Sequence, residues 1–358
     1  MKLISRSSAA KALSLAAVSA LVLSGCAAAP EEGATEEAGA VDFLACAVSD
    51  EGNWNDKSFN EAVYTGLTQA EADLGIEIKA LESATPDDFE PNLQAMVDAG
   101  CDITIGVGFA LAEAVTKIAL ANPDLNFALV DSTTEGTTNV KPLLFETAES
   151  AFLAGYVAAE YSTTKTIGTY GGLPFPSVTD FMTGYYYGAQ QWATDNDTSV
   201  EVLGWDPANP DGGDFMGGFA PNSPESLAIA KTQIQGGADV VLPVGGNQFT
   251  AVLEAINELN PDAVMMGVDV DIAAGNPDLA PYILTSIEKR MAVAVFDVIK
   301  ALVDGAAFDV TPYVGTLENK GTAISQFYDF DADLSADLKS RLAEIEAGII
   351  DGTYAPKG

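Results

Sequence analysis

The chain of 358 residues contains no histidine, and only 16 basic side chains against 52 acidic ones. Without imidazole there is no Ser/His/Asp or Cys/His nucleophilic machinery, no imidazole metal ligand and no imidazole proton shuttle near neutral pH. The formal net charge of −36 repels phosphate backbones and anionic headgroups, which argues against nucleic-acid binding by counterion release. Cysteine is scarce at three residues. Apolar residues are not: they make up 48% of the chain, far more than an acidic disordered chain carries and enough for the cores of about two domains.

The first 25 residues read as a secretory signal. Lys2, Arg6 and Lys11 form a positive start, an apolar stretch follows from Ala12 to Leu23, and the segment closes on Leu23, Ser24, Gly25 and Cys26. The apolar run is short against the roughly 20 residues that a spanning helix needs. The Leu-Ser-Gly-Cys ending resembles a bacterial lipoprotein box in which Cys26 becomes the lipidated N-terminus, so the expected location is outside the cytoplasmic membrane, held by acyl chains. Loss of the three basic groups of the leader takes the net charge from −36 to −39. Residues 26–41 hold that cysteine and a tether with Glu31, Glu32, Glu36 and Glu37 and little to bury. Cys46 and Cys101 remain, each at or beside a predicted strand, and fit either a disulfide of an exported protein or two buried thiols.

From residue 43 onward, short apolar runs alternate with stretches of helical period. Strands are predicted over 43–48, 76–81, 103–107, 127–130, 166–170, 200–204, 240–244, 264–268 and 282–287. Between the first two, Phe59, Ala62, Val63, Leu67, Ala70 and Leu74 form one helical stripe. Alternation at this spacing predicts an α/β fold with parallel sheets and right-handed crossovers, in two doubly wound lobes. The residues just after the strands are Asp50, Gly106, Gly108, Asp131, Gly171, Gly172, Trp205, Asp206, Gly245, Gly246, Asp269 and Asp271. Open parallel sheets bind ligands outside the carboxyl ends of their strands, so a cleft between the two lobes is the expected site. For any single loop, Gly and Asp also serve as ordinary turn and cap formers.

The densest cluster runs from Asp50 to Gly66. Ser58 with Glu61 has the spacing of a capping box and starts a helix at Phe59. Phe59 then stands near Asp50, placed to stack on a flat ligand while the acid accepts N–H bonds, or else it is simply the first residue of the core stripe.

Residues 50–60, Asp-Glu-Gly-Asn-Trp-Asn-Asp-Lys-Ser-Phe-Asn, resemble the opening motif of the basic membrane protein family of substrate-binding lipoproteins, which serve ABC transporters and bind purine nucleosides. Further likeness lies at 100–109, 127–131, 171–189, 237–246, 267–271 and 283–295. The resemblance implies a two-lobed periplasmic-binding-protein-like fold of type I, each lobe a doubly wound parallel sheet with helices on both faces. The implied lobes are 42–147 with 288–306, and 148–287 with 307–358. It implies Asp50 and Asp131 on the base edge, Phe59 and Trp205 as the two rings sandwiching the base, Gly245 and Gly246 as a close backbone approach, and Asp269 and Lys289 on the ribose. Asn55, which replaces the first of a paired aspartate in the motif, is included among the ligand contacts. The implied partners are a purine nucleoside, permease and ATPase subunits, and the membrane through the lipid anchor, with the protein itself a monomer and not an enzyme.

Two departures stand out: a tryptophan where the family has phenylalanine, and a long connection over 209–226 that could cover the site. No cofactor or metal is expected. The run from Asp329 to Asp337 starts like a calcium loop but has Leu334 at the sixth position and Ser340 at the twelfth. Residues 106–111 lack the third glycine of a dinucleotide fingerprint, and no phosphate-binding G-x-x-x-x-G-K-[ST] is present. Alternative ligands in the same fold are a sugar, a flavin or a signal molecule; a hydrolase using Asp50 and Asp131 as a carboxylate pair is the remaining alternative.

Overall fold

The computed structural model describes residues 41–220 and 223–358; the leader, Cys26 and the tether lie outside them. The chain builds β1 (Leu44–Val48), α1 (Phe59–Leu74), β2 (Glu77–Leu81), α2 (Phe89–Asp98), β3 (Ile103–Val107), α3 (Ala112–Ala121), β4 (Asn126–Val130) and β5 (Val140–Phe145). It then crosses to a second lobe: α4 (Thr147–Tyr161), β6 (Thr166–Gly171), α5 (Pro176–Asp195), β7 (Glu201–Leu203), α6 (Pro224–Gln235), β8 (Val240–Val244), α7 (Phe249–Leu259), β9 (Val264–Asp269), the single turn α8 (Ile272–Gly275) and β10 (Ile283–Lys289). Last come α9 (Met291–Val303), β11 (Tyr313–Gly315), β12 (Thr322–Ile324) and α10 (Ala336–Ile350). Among the described residues no helix is long and apolar enough to cross a membrane.

The sheets run β11-β5-β4-β3-β1-β2 and β12-β10-β9-β8-β6-β7. Counted from its own first strand, each lobe has the order second-first-third-fourth-fifth, so the topological switch lies between β1 and β3 in one sheet and between β6 and β8 in the other. All pairings are parallel except β12 on β10. Buried apolar clusters cover both faces of each sheet. In the first lobe, α1 and α9 pack on one face and α2 and α3 on the other. In the second, α4, α5 and α10 face one side, with α6 and α7 opposite. The α1 stripe is core at Ala62, Val63, Leu67 and Ala70, as its period predicts.

The chain passes between the lobes three times, after β5, after β10 and between β11 and β12. The third passage moves one predicted boundary: Tyr313–Gly315 pairs with β5 in the first sheet, inside the range expected for the second lobe. Three residues carry too little periodicity to mark a strand or its sheet. The passages are laced together, with Glu146 N–H donating to the Gly315 carbonyl at 2.8 Å and Arg290 N–H to the Gly321 carbonyl at 2.9 Å. A Cβ on Gly321 would lie 2.2 Å from the Gly315 Cα, so this contact requires glycine. Away from the cleft, Cys46 in β1 and Cys101 just before β3 form a disulfide, with Cα atoms 6.0 Å apart.

Candidate ligand-binding site

The carboxyl ends of β1, β3 and β4 face those of β6, β8 and β9 across a pocket, where open α/β sheets place their small-molecule sites. The first lobe lines it with Asp50, Asp56, Phe59, Asn60, Phe109 and Asp131, and the second with Phe181, Phe219, Gly245, Gly246, Asn247, Asp269 and Lys289.

The start of α1 is built differently from its sequence signature. Ser58 makes no side-chain cap bond. Asp56 caps instead, accepting from the backbone N–H groups of Ser58 (2.9 Å), Asn60 (2.9 Å) and Glu61 (3.0 Å), which satisfies donors that the first helical turn leaves free. Glu61 still reaches back, but to the N–H and ammonium of Lys57. The Ser58 hydroxyl is thereby released to point across the cleft, where it donates to Asp269 Oδ2 at 2.9 Å. Asn60, one residue past Phe59, donates its amide to Asp50 Oδ1 at 2.7 Å and to Asp56 Oδ2 at 3.1 Å. The Gly52 N–H adds a second bond to Asp50 Oδ1, so this carboxylate is held from behind.

Asp131 directly follows the fourth strand of its lobe and Asp269 ends that of the other, and both have left-handed backbones, φ 61° and φ 70°. Aspartate tolerates that region better than most side chains. Asp131 accepts the Lys289 ammonium at 2.6 Å, with side chains only 2% (Lys289) and 7% (Asp131) exposed. This is a buried ion pair between the lobes, and Lys289 Nζ also lies 5.6 Å from the Phe59 ring centre and 4.9 Å from that of Phe181.

Burial pushes Asp50 and Asp269 up to about 6, against hydrogen bonds to Asp50 and the Lys289 charge and Ser58 bond at Asp269. Asp131 is also raised by burial, against the neighbouring ammonium. A carboxyl raised on folding keeps its proton in the folded state at pH values where the unfolded chain has released it. Asp50 and Asp269 therefore favour folding at low pH, and that contribution is lost as pH climbs from about 4 through 6. Asn cannot ionise, so the stability of Asp50→Asn relative to the parent should grow across this window and level off above it. Urea unfolding of both proteins at pH 4, 5, 6 and 7 checks this; a constant difference would mean that Asp50 is solvated.

The structure gathers Asp50, Phe59, Asp131, Gly245, Gly246, Asp269 and Lys289 around one pocket. Two expected residues are elsewhere. Asn55 is exposed, its N–H held by the Asn53 side chain. Trp205 is buried away from the cleft, its indole N–H donating to Thr183 Oγ1 at 3.1 Å and its ring meeting Phe215 edge-on. The reason is topological: β7 is the edge strand, one strand further from the switch point than β6. The connection after Trp205 brings a different ring instead. Phe219 lies over Gly172, where an added Cβ would fall 2.2 Å from its Cε1. Phe219 meets Phe109 of the first lobe with ring centres 5.7 Å apart, so a ring from each lobe lines the pocket here, while Phe175, 3.9 Å from Phe109, stands outside the lining. Phe219 sits in a Gly-rich stretch that gives no periodic signal; the aromatic itself, beside a predicted cleft, was the clue available.

Comparison with known proteins agrees with this geometry. The Bmp family, described as ABC transporter substrate-binding protein PnrA-like, matches residues 43–211. A Lactococcus lactis protein named ABC transporter nucleoside-binding protein BmpA is 28% identical over 96% of each chain. An uncharacterized lipoprotein of Pyrococcus abyssi is 31% identical over 72% of this chain and 62% of its own. Among solved structures, an ABC transporter solute-binding protein of Aeropyrum pernix superposes with TM-score 0.76 at 23% identity, over 87% of this chain and 92% of that one, a likeness of fold. With a two-lobed α/β architecture and its pocket at the paired switch points, the chain is similar to the Bmp family of ABC transporter substrate-binding proteins over residues 43–211 and to the Lactococcus nucleoside-binding protein over nearly its whole length.

Proposed function

We propose that the protein is an exported, lipid-anchored receptor that closes on a purine nucleoside and hands it to a membrane permease. The observation that carries this reading is the mixed lining of the pocket, with carboxylates from both lobes, one buried ammonium and facing aromatic rings around a single cavity. A nucleoside offers a flat base to stack, N–H groups for carboxylates and vicinal hydroxyls for an Asp–Lys pair. The base is assigned between Phe59 and Phe219, its edge to Asp50, and the ribose to Asp269, Asp131 and Lys289. The name of the Lactococcus relative and the lipoprotein name of the Pyrococcus one support the ligand class and the anchor. Docking of the closed form on permease and ATPase subunits follows from the family, with lobe closure as the signal.

Calorimetry of the mature protein with adenosine, guanosine, inosine, ribose and riboflavin tests it, together with mass spectrometry of whatever denaturation releases. Binding of a sugar or flavin and of no nucleoside would overturn the ligand assignment, and release of free base, lost in Asp50→Asn, would indicate a hydrolase. Within this reading Phe59→Ala should lose about 1–3 kcal/mol of nucleoside affinity, the range for base stacking on a ring. Trp205→Ala should lower stability by about 3–5 kcal/mol, as for a buried large aromatic, and leave the affinity unchanged. The reverse pattern in paired titration and unfolding experiments would restore Trp205 to the site.

A further inference from the structure

The pocket is short of donors. Four carboxylates line it, those of Asp50, Asp56, Asp131 and Asp269, against one ammonium, and that ammonium is already engaged with Asp131 and the Ser177 carbonyl. Asp56 is spent on the start of α1. Asp50 Oδ1 is filled by Gly52 and Asn60, while Oδ2 receives no hydrogen bond among the described residues.

Asn60 decides what the rest of the edge can be. It is 2% exposed, and both partners of its amide nitrogen are carboxylate oxygens. Carboxylates only accept, so the NH₂ group has to face them and the carbonyl has to face away. That carbonyl, Oδ1, is buried without a partner, and so is Oδ1 of Asn247, which lines the same pocket from the second lobe. A buried acceptor without a donor is costly, and a ligand that brings the donor recovers that cost.

We infer that the site selects a purine whose edge carries several N–H donors, a ring N–H beside an exocyclic amino group, and that Asn60 is the residue that sets this preference. The inference rests on the nucleoside-receptor reading and sharpens its ligand. A guanine edge presents three N–H donors and a hypoxanthine edge one. An adenine edge presents two beside a ring acceptor, which meets an acceptor-lined wall unfavourably. Sites built to hydrogen-bond a ligand group discriminate strongly against analogues that lack it, because their own buried groups are then left unpaired.

The experiment is a calorimetric titration of the mature protein, its Asn60→Ala variant and its Asn247→Ala variant with guanosine, inosine and adenosine. The expected result is guanosine bound at least about tenfold more tightly than inosine by the parent, the scale of one lost buried hydrogen bond, with the ratio falling toward one in Asn60→Ala and narrowing in Asn247→Ala. A merely structural role for Asn60 would weaken all three nucleosides alike. Equal affinity for guanosine and inosine in the parent, or a ratio unmoved in both variants, would overturn the inference while leaving the receptor reading intact. Failure of all three nucleosides to bind would overturn the receptor reading, and this inference with it. Asn247 is on a half-exposed loop position, so its variant reports even where Asn60→Ala does not fold.

Discussion

Lys289→Met is expected to destabilise the ligand-free protein by about 3–5 kcal/mol, the cost of breaking a buried ion pair from one side. The pair is 2.6 Å long and almost fully enclosed, and Asp131 would be left as an uncompensated carboxylate in a site that already raises its pKa by burial. The second partner provides the control. Asparagine suits the left-handed backbone at position 131 (φ 61°), so Lys289→Met with Asp131→Asn should recover most of the loss, since removing both charges also removes their desolvation cost. Urea unfolding of parent, single and double variants at pH 7 measures the coupling. Because the pair joins the lobes, small-angle scattering should also show a larger radius of gyration for the single variant than for the parent. A single variant that loses under 1 kcal/mol would mean that the ligand-free lobes stand apart in solution, with both groups hydrated.

Replacing both bridged cysteines, Cys46→Ala with Cys101→Ala, should cost about 2–5 kcal/mol. The bridge closes a loop with a sequence separation of 55, for which chain-entropy reasoning gives about 4 kcal/mol. Both residues are core, Cys46 at 0% exposure and Cys101 at 5%, so some packing is lost as well. Nucleoside affinity should not move. Cys46 sits mid-strand opposite Thr104, and Cys101 enters β3 from its amino end, whereas the pocket lies at the carboxyl ends. Denaturation curves with and without reductant, paired with titrations at low temperature, separate stability from binding. An affinity loss at full folding would show that the bridge positions Asp50 through β1.

The sequence was most legible in its short apolar runs: all nine strands predicted from them are present, most buried on both faces, with the edge strands β2 and β7 only partly covered. Three strands escaped. β5 contains Pro142, which reads as a break because proline cannot donate to a sheet ladder, and β11 and β12 span three residues each. Asp50, Asp131 and Asp269 could be placed because each ends or closely follows a strand, and strand ends meet at the cleft, whereas Lys289 was legible only through the family resemblance. Ser58 shows the opposite case. Its Ser-x-x-Glu spacing predicted a cap, yet Asp56, two residues earlier, took the same N–H groups through its longer reach. Local spacing could not reveal that the freed hydroxyl would find Asp269, 211 residues away. Trp205 was expected in the site from the family resemblance, and it failed on direction, which depends on strand order.

The three laced passages between the lobes form a ribbon, and a ribbon is compliant about one axis and stiff about the others. Bending at this ribbon is therefore expected to be the easy coordinate of motion between the lobes, in place of a loose swivel. Lys289 is the last residue of the strand feeding the Arg290 bond to Gly321, so its lever arm about that axis is short. Asp269 ends β9, one strand further from the passages than β10, and Ser58 precedes α1, so their contact should swing through a wider arc. In an opening movement the Ser58 contact should part first and the Lys289 contact last, so an infrared or fluorescence probe at each would report two successive stages of one movement.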